Sequence, residues 1–293
     1  MIVVKLMGGL GNQLFQFAAA KNLAIKNKVQ LAVDVSEYSD KQVKENYTQR
    51  SFDLALFNID AVVLKPGAFD FFFDVPKNEL DKLWNKLKKR WSGYTFYWDY
   101  NLVFQPHFFD NKDNTYLDGY FQSEKYFKEI RTLLLKEFTS NISVDRYLID
   151  QIQRGESVAI HFRRGDYEKS SQTTRNHGTC SIDYYKKAIE KAGLLINKPE
   201  FFIFSDNIPW VKEQLSDLPF TFYFVEHKGE RAHIYDFEVM RRCKHQIIAN
   251  STFSWWAAWL NENKDKMVIA PEKWMNDTAV DTKDITPDSW IKL

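Results

Sequence analysis

Two arginines stand side by side at the end of an apolar run: Arg163 and Arg164 follow SVAIHF (157–162), and Asp166 comes next but one. A guanidinium at the end of a buried strand is costly unless it is paired or faces an anion. Its planar fork matches a phosphate with two parallel, charge-assisted hydrogen bonds. Successive strand residues point to opposite faces, so only one of the two arginines can continue a given face; the other is placed to pair with Asp166. A second apolar run, HQIIA, ends in Asn250-Ser251-Thr252 and leads into STFSWWAAWL. Ser251 or Thr252 can cap that helix, and its first N–H groups suit an anion. A third run, FFIF, ends in Ser205-Asp206-Asn207, where a carboxylate suits a purine edge or a ribose. No two aspartates are separated by a single residue, and no His/Cys/Asp cluster has metal-ligand spacing. The charge of a bound diphosphate is therefore expected to be met by arginine and helix ends, with no divalent metal and no other cofactor.

The chain opens MIVVKLMGGLGNQLFQFAAA. Gly9-x-Gly11 between a strand and a helix matches part of the dinucleotide fingerprint, and Asp34 stands where a ribose-binding acid belongs. Leu14 replaces the third glycine of that fingerprint. The same turn, with Gly11, Asn12 and Gln13, equally offers a neutral surface to a sugar diphosphate presented by an opposite domain. A nicotinamide-dependent oxidoreductase and a nucleotide-sugar enzyme both remain open on these residues.

The elements that must position these groups fall into two patterns. Ile2–Leu6 reads as a strand, Asn12–Lys26 as a helix and Val29–Val35 as a second strand. Residues 40–150 read as irregular. They contain FDFFFD, a basic amphipathic helix over Leu80–Arg90 and the aromatic stretch WSGYTFYWDY. The basic helix is expected to be a solvated surface helix, with a membrane-surface role as the alternative. The aromatic stretch is expected to pack, with acceptor stacking as the alternative. From residue 155 onward, strands at 157–162, 201–206, 221–226, 245–250 and 267–271 alternate with helices. One of these helices runs from a Ser181 cap to Gly193. That alternation predicts a parallel sheet with right-handed crossovers and ligands beyond its carboxyl ends. The expected division is residues 1–150 and 151–293.

Composition narrows the classes. The 293 residues are 44% hydrophobic and 27% charged, with a net charge of +1, which gives no general nucleic-acid footprint. Cys180 and Cys243 form no CxxC pair and are expected to be reduced thiols. Polar residues interrupt the first apolar run, so it does not read as a signal peptide, and no run is long enough to span a membrane. A cytoplasmic enzyme is expected, with a peripheral contact at the inner membrane face left open.

GGLGNQLFQFA, LDGYFQSEKYF (117–127), HFRRGDY (161–167), FFIFSDN (201–207) and CKHQIIANSTFSWWAAWL (243–260) together resemble the α-1,2-fucosyltransferase family, glycosyltransferase family 11. The resemblance implies a GT-B-like α/β fold in which two Rossmann-like domains face a central cleft. Residues 1–150 would form the acceptor side and residues 151–293 the GDP-fucose side. It implies inverting transfer of L-fucose from GDP-β-L-fucose to O2 of a terminal galactose on a glycan or glycolipid. Arg163 would bind the diphosphate, with Arg164 beside it, and Asn12 in the glycine turn would lie near the donor. Ser205, Asp206, Asn250, Ser251, Thr252 and Phe253 would line the nucleotide. The base is not assigned by the resemblance; Asp166, His161 and Asp118 are candidates. Glu226-His227 departs from the family pattern, which has an Asp-rich turn there. A non-catalytic glycan- or nucleotide-binding protein is the remaining alternative.

Overall fold

The structure is a computed structural model that describes residues 1–39, 50–73, 78–163 and 178–293. The chain divides into two α/β units. The first comprises Met1–Thr139 with Lys283–Ile285, and the second Ser140–Thr282 with Thr286–Leu293. The short return to the first unit is held by Asp284, which accepts from the Phe104 amide and pairs with Lys125.

The first unit is built on β1 (Ile2–Lys5), α1 (Leu10–Asn27) and β2 (Leu31–Asp34). The short helix α2 (Ser36–Ser39) follows, then β3 (Val62–Val63), α3 (Glu79–Ser92), β4 (Thr95–Asp99), β5 (Thr115–Gly119) and α4 (Arg131–Glu137). The strand order is β3-β2-β1-β5-β4, and every neighbouring pair is parallel. The stretch read as irregular therefore supplies three strands of this sheet. All of β5 is buried although its sequence is TYLDG. Its acid is accommodated because Lys5 Nζ lies 3.7 Å from the Asp118 carboxylate and the Tyr100 hydroxyl donates to it. The aromatic stretch packs only in part: Phe96 stacks on Tyr116 at 5.8 Å and Tyr97 meets Phe108 edge-on at 5.7 Å, whereas Trp91 and Trp98 are exposed.

The second unit runs α5 (Arg146–Arg154), β6 (Glu156–Phe162), α6 (Ile182–Leu195), β7 (Pro199–Ser205), α7 (Ile208–Gln214) and β8 (Thr221–Phe224). It continues through α8 (Ala232–Met240), β9 (His245–Ile247), α9 (Thr252–Leu260), β10 (Val268–Ala270) and β11 (Ile291–Lys292). Its strand order is β11-β10-β9-β6-β7-β8, again parallel throughout. The chain starts at the centre with β6, moves out through β7 and β8, then returns to the other side of β6 with β9. The two Rossmann-like units are those of a GT-B-like α/β fold.

Alternation along β6 sends Val158, Ile160 and Phe162 into a core with Tyr185, Ile189 and Ile203. Ala159 and His161 turn to the opposite face. Trp255 and Trp256 of α9 are fully buried, as core residues. Ser181 caps α6 by accepting from the Tyr184 amide, as expected. Gly193 does not end that helix; it lies inside the last turn. A Cβ there would sit 2.5 Å from the Phe220 ring, so glycine is required by close approach.

Candidate active site

In doubly wound sheets the crevice forms where the strand order reverses, beyond the carboxyl ends of the two central strands. In the second unit those strands are β6 and β9. Arg163 is the first residue after β6, and Ser251 precedes α9, which follows β9. The two meet: Arg163 Nη1 donates to Ser251 Oγ at 3.2 Å. Ser251 is buried and occupies the N-cap position, yet its hydroxyl makes no capping bond to the helix. It receives the guanidinium instead. The N-cap side chain makes no capping bond to α9, so the positive end of the helix and an arginine converge on one place. This arrangement suits a phosphate: one edge of the guanidinium is anchored by a neutral hydroxyl, which leaves its charge uncancelled by that contact.

His161 stands two residues before Arg163 on the same face. Its ring lies 5.5 Å from that of Phe253, which in turn packs 5.4 Å from Phe237. Its Nδ1 is buried with no hydrogen-bond partner among the described residues. Burial first, and the Arg163 charge second, lower the imidazole pKa to about 3. The ring therefore stays neutral across the physiological range and offers a hydrogen-bonding edge rather than a charge.

The register Phe162↔Ser205 brings the end of β7 alongside Arg163. Asp206 is exposed there. Ser205 Oγ accepts from the Asn207 amide at 3.0 Å, and Asn207 caps α7. Thr252 and Phe253 are partly exposed in the first turn of α9. Asn250 is held differently: its amide nitrogen donates to the Gly178 and Trp274 carbonyls at 3.2 and 3.1 Å, and its oxygen accepts from Cys180 Sγ at 3.4 Å. It ties two loops to the end of β9. His227, after β8, is engaged with Asp236 of α8 at 2.6 Å. Arg164 and Asp166 lie outside the described residues. Among the described residues no group of three or more His, Cys, Asp or Glu side chains is placed to hold a metal.

The first unit has its own strand reversal, between β1 and β5. Gly8 adopts φ +75°, and a Cβ on it would lie 2.7 Å from Asn12 Nδ2. Asn12 Oδ1 accepts from Gln122 Nε2 at 3.1 Å, so the carboxamides after β1 and after β5 meet across the reversal. Gln122 was not singled out from the sequence, though it falls within the LDGYFQSEKYF block. Gly11 is buried in the first turn of α1. Gln13 is fully buried and holds the turn together. It donates to the carbonyls of Gly8 and Ser51 at 3.0 and 2.8 Å and accepts from the Leu54 amide at 3.0 Å. Asp34 is buried and accepts from the Ser36 amide, the Ser36 hydroxyl and the Tyr116 hydroxyl. A carboxylate so engaged is not presented to a ribose, which removes the observation on which the oxidoreductase reading stood.

The model of glycosyl transferase family 11 matches residues 1–293. The chain belongs to this family. An α-1,2-colitosyltransferase of Escherichia coli is 31% identical over 100% of this chain and 98% of its own length. The O-antigen biosynthesis glycosyltransferase WbnK of Escherichia coli is 29% identical over 98% of this chain and 99% of its own. The mouse galactoside α-(1,2)-fucosyltransferase 2 is 27% identical over 48% of this chain and 43% of its own. Among solved structures, the fucosyltransferase NodZ from Bradyrhizobium aligns with a TM-score of 0.52 at 15% identity, covering 87% of this chain and 92% of that one. The GDP complex of a mutant Arabidopsis thaliana FUT1 aligns with a TM-score of 0.53 at 13% identity, covering 99% of this chain and 75% of that one. These two likenesses concern the fold. The family 11 chain is thus a glycosyltransferase, and no helix among its described residues is long and apolar enough to cross a membrane.

Proposed function

We propose that this glycosyltransferase moves L-fucose from GDP-β-L-fucose to O2 of a terminal galactose with inversion, in the cytoplasm and without a divalent metal. The observation that carries the reading is the Arg163–Ser251 pair at the uncapped start of α9, where β6 and β9 diverge. Loss of GDP leaves an oxocarbenium-like sugar and places growing negative charge on the leaving diphosphate. Preorganised donors aimed at that charge act on the transition state more than on the ground state. Arg163 and the first N–H groups of α9 fill that role. Asp206 at the end of β7 is assigned to the nucleoside with Phe253 beside it, and neutral His161 offers a hydrogen-bonding edge. Asn12, whose carboxamide oxygen accepts from Gln122, is assigned to the donor. The α-1,2-fucosyl- and colitosyltransferase names among the relatives support a 6-deoxy-L-hexose donor and a 1,2-linkage.

A second donor reading has a specific support: the colitosyltransferase match runs the whole length of the chain. Colitose is fucose without its 3-hydroxyl, so the two readings differ in one polar contact. A donor panel in EDTA decides between them, with galactose-terminated acceptors and linkage analysis of the product. GDP-fucose turnover supports the first reading and exclusive use of GDP-colitose the second. Calorimetric binding of GDP without turnover would return the chain to a binding protein, and loss of turnover in EDTA would refute the metal-free mechanism.

A further inference from the structure

Helix α3 is built the wrong way round for a soluble surface helix. Leu80, Leu83, Trp84, Leu87 and Trp91 recur at helical spacing and fall within an arc of roughly 100°. Such a stripe ordinarily faces the core. Here four of its five members face outward: Leu80 is 78% exposed, Leu83 56%, Trp84 53% and Trp91 68%, while Leu87 is partly covered and no residue of the helix is buried. A polar contact ties the helix to the protein. Lys89 Nζ donates to the Phe72 carbonyl at 3.1 Å, and Asp81 and Asn85 are partly covered. The two tryptophans meet edge to face at 6.0 Å and form a joint apolar ridge on the outer surface. The element itself is well formed: Asn78 caps it by accepting from the Asp81 amide, and Gly93 closes it in a left-handed conformation.

The charges say what covers this ridge. The helix carries Lys82, Lys86, Lys88, Lys89 and Arg90 against Glu79 and Asp81. Both acids lie in the first turn, where they complement the helix dipole. On the helical wheel Lys88 and Arg90 border the apolar stripe on opposite sides. A Trp/Leu ridge rimmed by long cationic side chains matches a bilayer surface with anionic headgroups. The rings enter the interfacial region while the cations reach the phosphates. Joining the stripes of two parallel copies would instead bring Lys88 of one against Arg90 of the other, a like-charge contact; an antiparallel pair, in which Asp81 and Glu79 meet those cations, is an outcome of the test below. We propose that α3 docks the enzyme onto anionic phospholipid, lying in the plane of the membrane surface. This inference stands apart from the donor and acceptor reading above, because it uses no residue of the candidate active site.

The test is flotation of the full-length protein with vesicles of phosphatidylcholine alone or with phosphatidylglycerol added. Binding to the anionic vesicles is expected to be at least ~10-fold stronger and to weaken as salt is raised. The Trp84→Ser/Trp91→Ser variant is expected to lose ~10-fold or more of that binding, and so is the separate Lys88→Glu/Arg90→Glu variant. Both sets of side chains are exposed, and circular dichroism confirms that each variant is folded. Equal binding to both vesicle types, no binding to either, or unchanged binding by the folded variants would overturn the proposal. So would a concentration-dependent dimer in light scattering that the tryptophan variant dissolves, since the ridge would then be covered by a second copy.

Discussion

His161 couples the candidate site to acid stability, and the size of the coupling follows from its surroundings. The imidazole is flanked by Phe253 and by the Arg163 charge, its Nδ1 is unpartnered among the described residues, and its pKa is lowered from 6.5 to about 3. The unfolded chain takes up the proton as pH falls through about 6.5, whereas the folded chain takes it up only near 3. Between those values the unfolded state binds more protons, so acid favours unfolding. The stabilising contribution is fully present above pH 6.5 and is lost as pH falls below it. Integrating the linkage from about pH 8 to about pH 5 gives a loss of about 2 kcal/mol. That figure hardly changes if the folded value is a unit higher, because at about pH 5 the folded ring is still almost wholly neutral. The perturbation is His161→Gln, which keeps a polar side chain but cannot titrate. Urea unfolding of wild type and variant at both pH values is the assay. The wild type is expected to lose about 2 kcal/mol more than the variant between them. Parallel pH dependences for the two proteins would refute the reasoning and mean that the ring is protonated, or hydrated, in the fold.

Three further outcomes follow from contacts in the structure. Arg163→Ala is expected to lower kcat/KM by about 100-fold, about 3 kcal/mol of transition-state stabilisation, in steady-state assays with the preferred donor. Arg163→Lys should recover only part of this, because an ammonium cannot hold the Ser251 hydroxyl and a phosphate with one planar fork; a loss below ~1 kcal/mol for the alanine variant would remove Arg163 from the role. Gly8→Ala must adopt φ +75° and push Asn12 aside, so a destabilisation of ~1–2 kcal/mol and a Tm lower by roughly 3–8 °C are expected in calorimetry. Lys21 Nζ sits 2.8 Å from the buried Glu137 carboxylate. Lys21→Met therefore strands a buried charge and is expected to cost about 3–5 kcal/mol in urea unfolding, most of it recovered when Glu137→Gln is added.

The limits of what the chain disclosed in advance have physical causes. Strands β6 to β10 were legible because both faces of a central parallel sheet are covered, which writes them as unbroken apolar runs between helices. Strand β3 was not, because it is only two residues long, and β4 and β5 were not, because they carry polar residues. TYLDG is a strand only because Lys5 and Tyr100, distant in sequence, satisfy Asp118. The carboxamides show the same limitation from the other side. Asn250 and Gln13 stood in turns expected to contact substrate, and a single sequence cannot distinguish an amide that faces a ligand from one that ties backbone loops together. Here Gln13 links Gly8, Ser51 and Leu54, and Asn250 links Gly178, Cys180 and Trp274. Both act on the site by shaping the turns that carry its neighbours.

Strand order, not local pattern, is what turns separate strand ends into a site. Arg163 and Ser251 each followed a recognisable strand, but local periodicity does not say that the strand after β8 returns to pair with β6. Once Ile160 pairs with Ile247, the end of β6 and the start of α9 are neighbours, and the Arg163–Ser251 bond follows from the register. At this helix start the serine hydroxyl is turned to the arginine and makes no bond to the helix. A replacement that keeps the cap position but removes the acceptor separates the two roles. Ser251→Ala is expected to leave unfolding free energy changed by less than ~1 kcal/mol, because no capping bond is lost. It should nonetheless weaken calorimetric GDP binding, because the guanidinium loses the contact that orients it. A variant destabilised like an ordinary cap deletion, with GDP affinity intact, would show that the hydroxyl serves the helix and not the arginine.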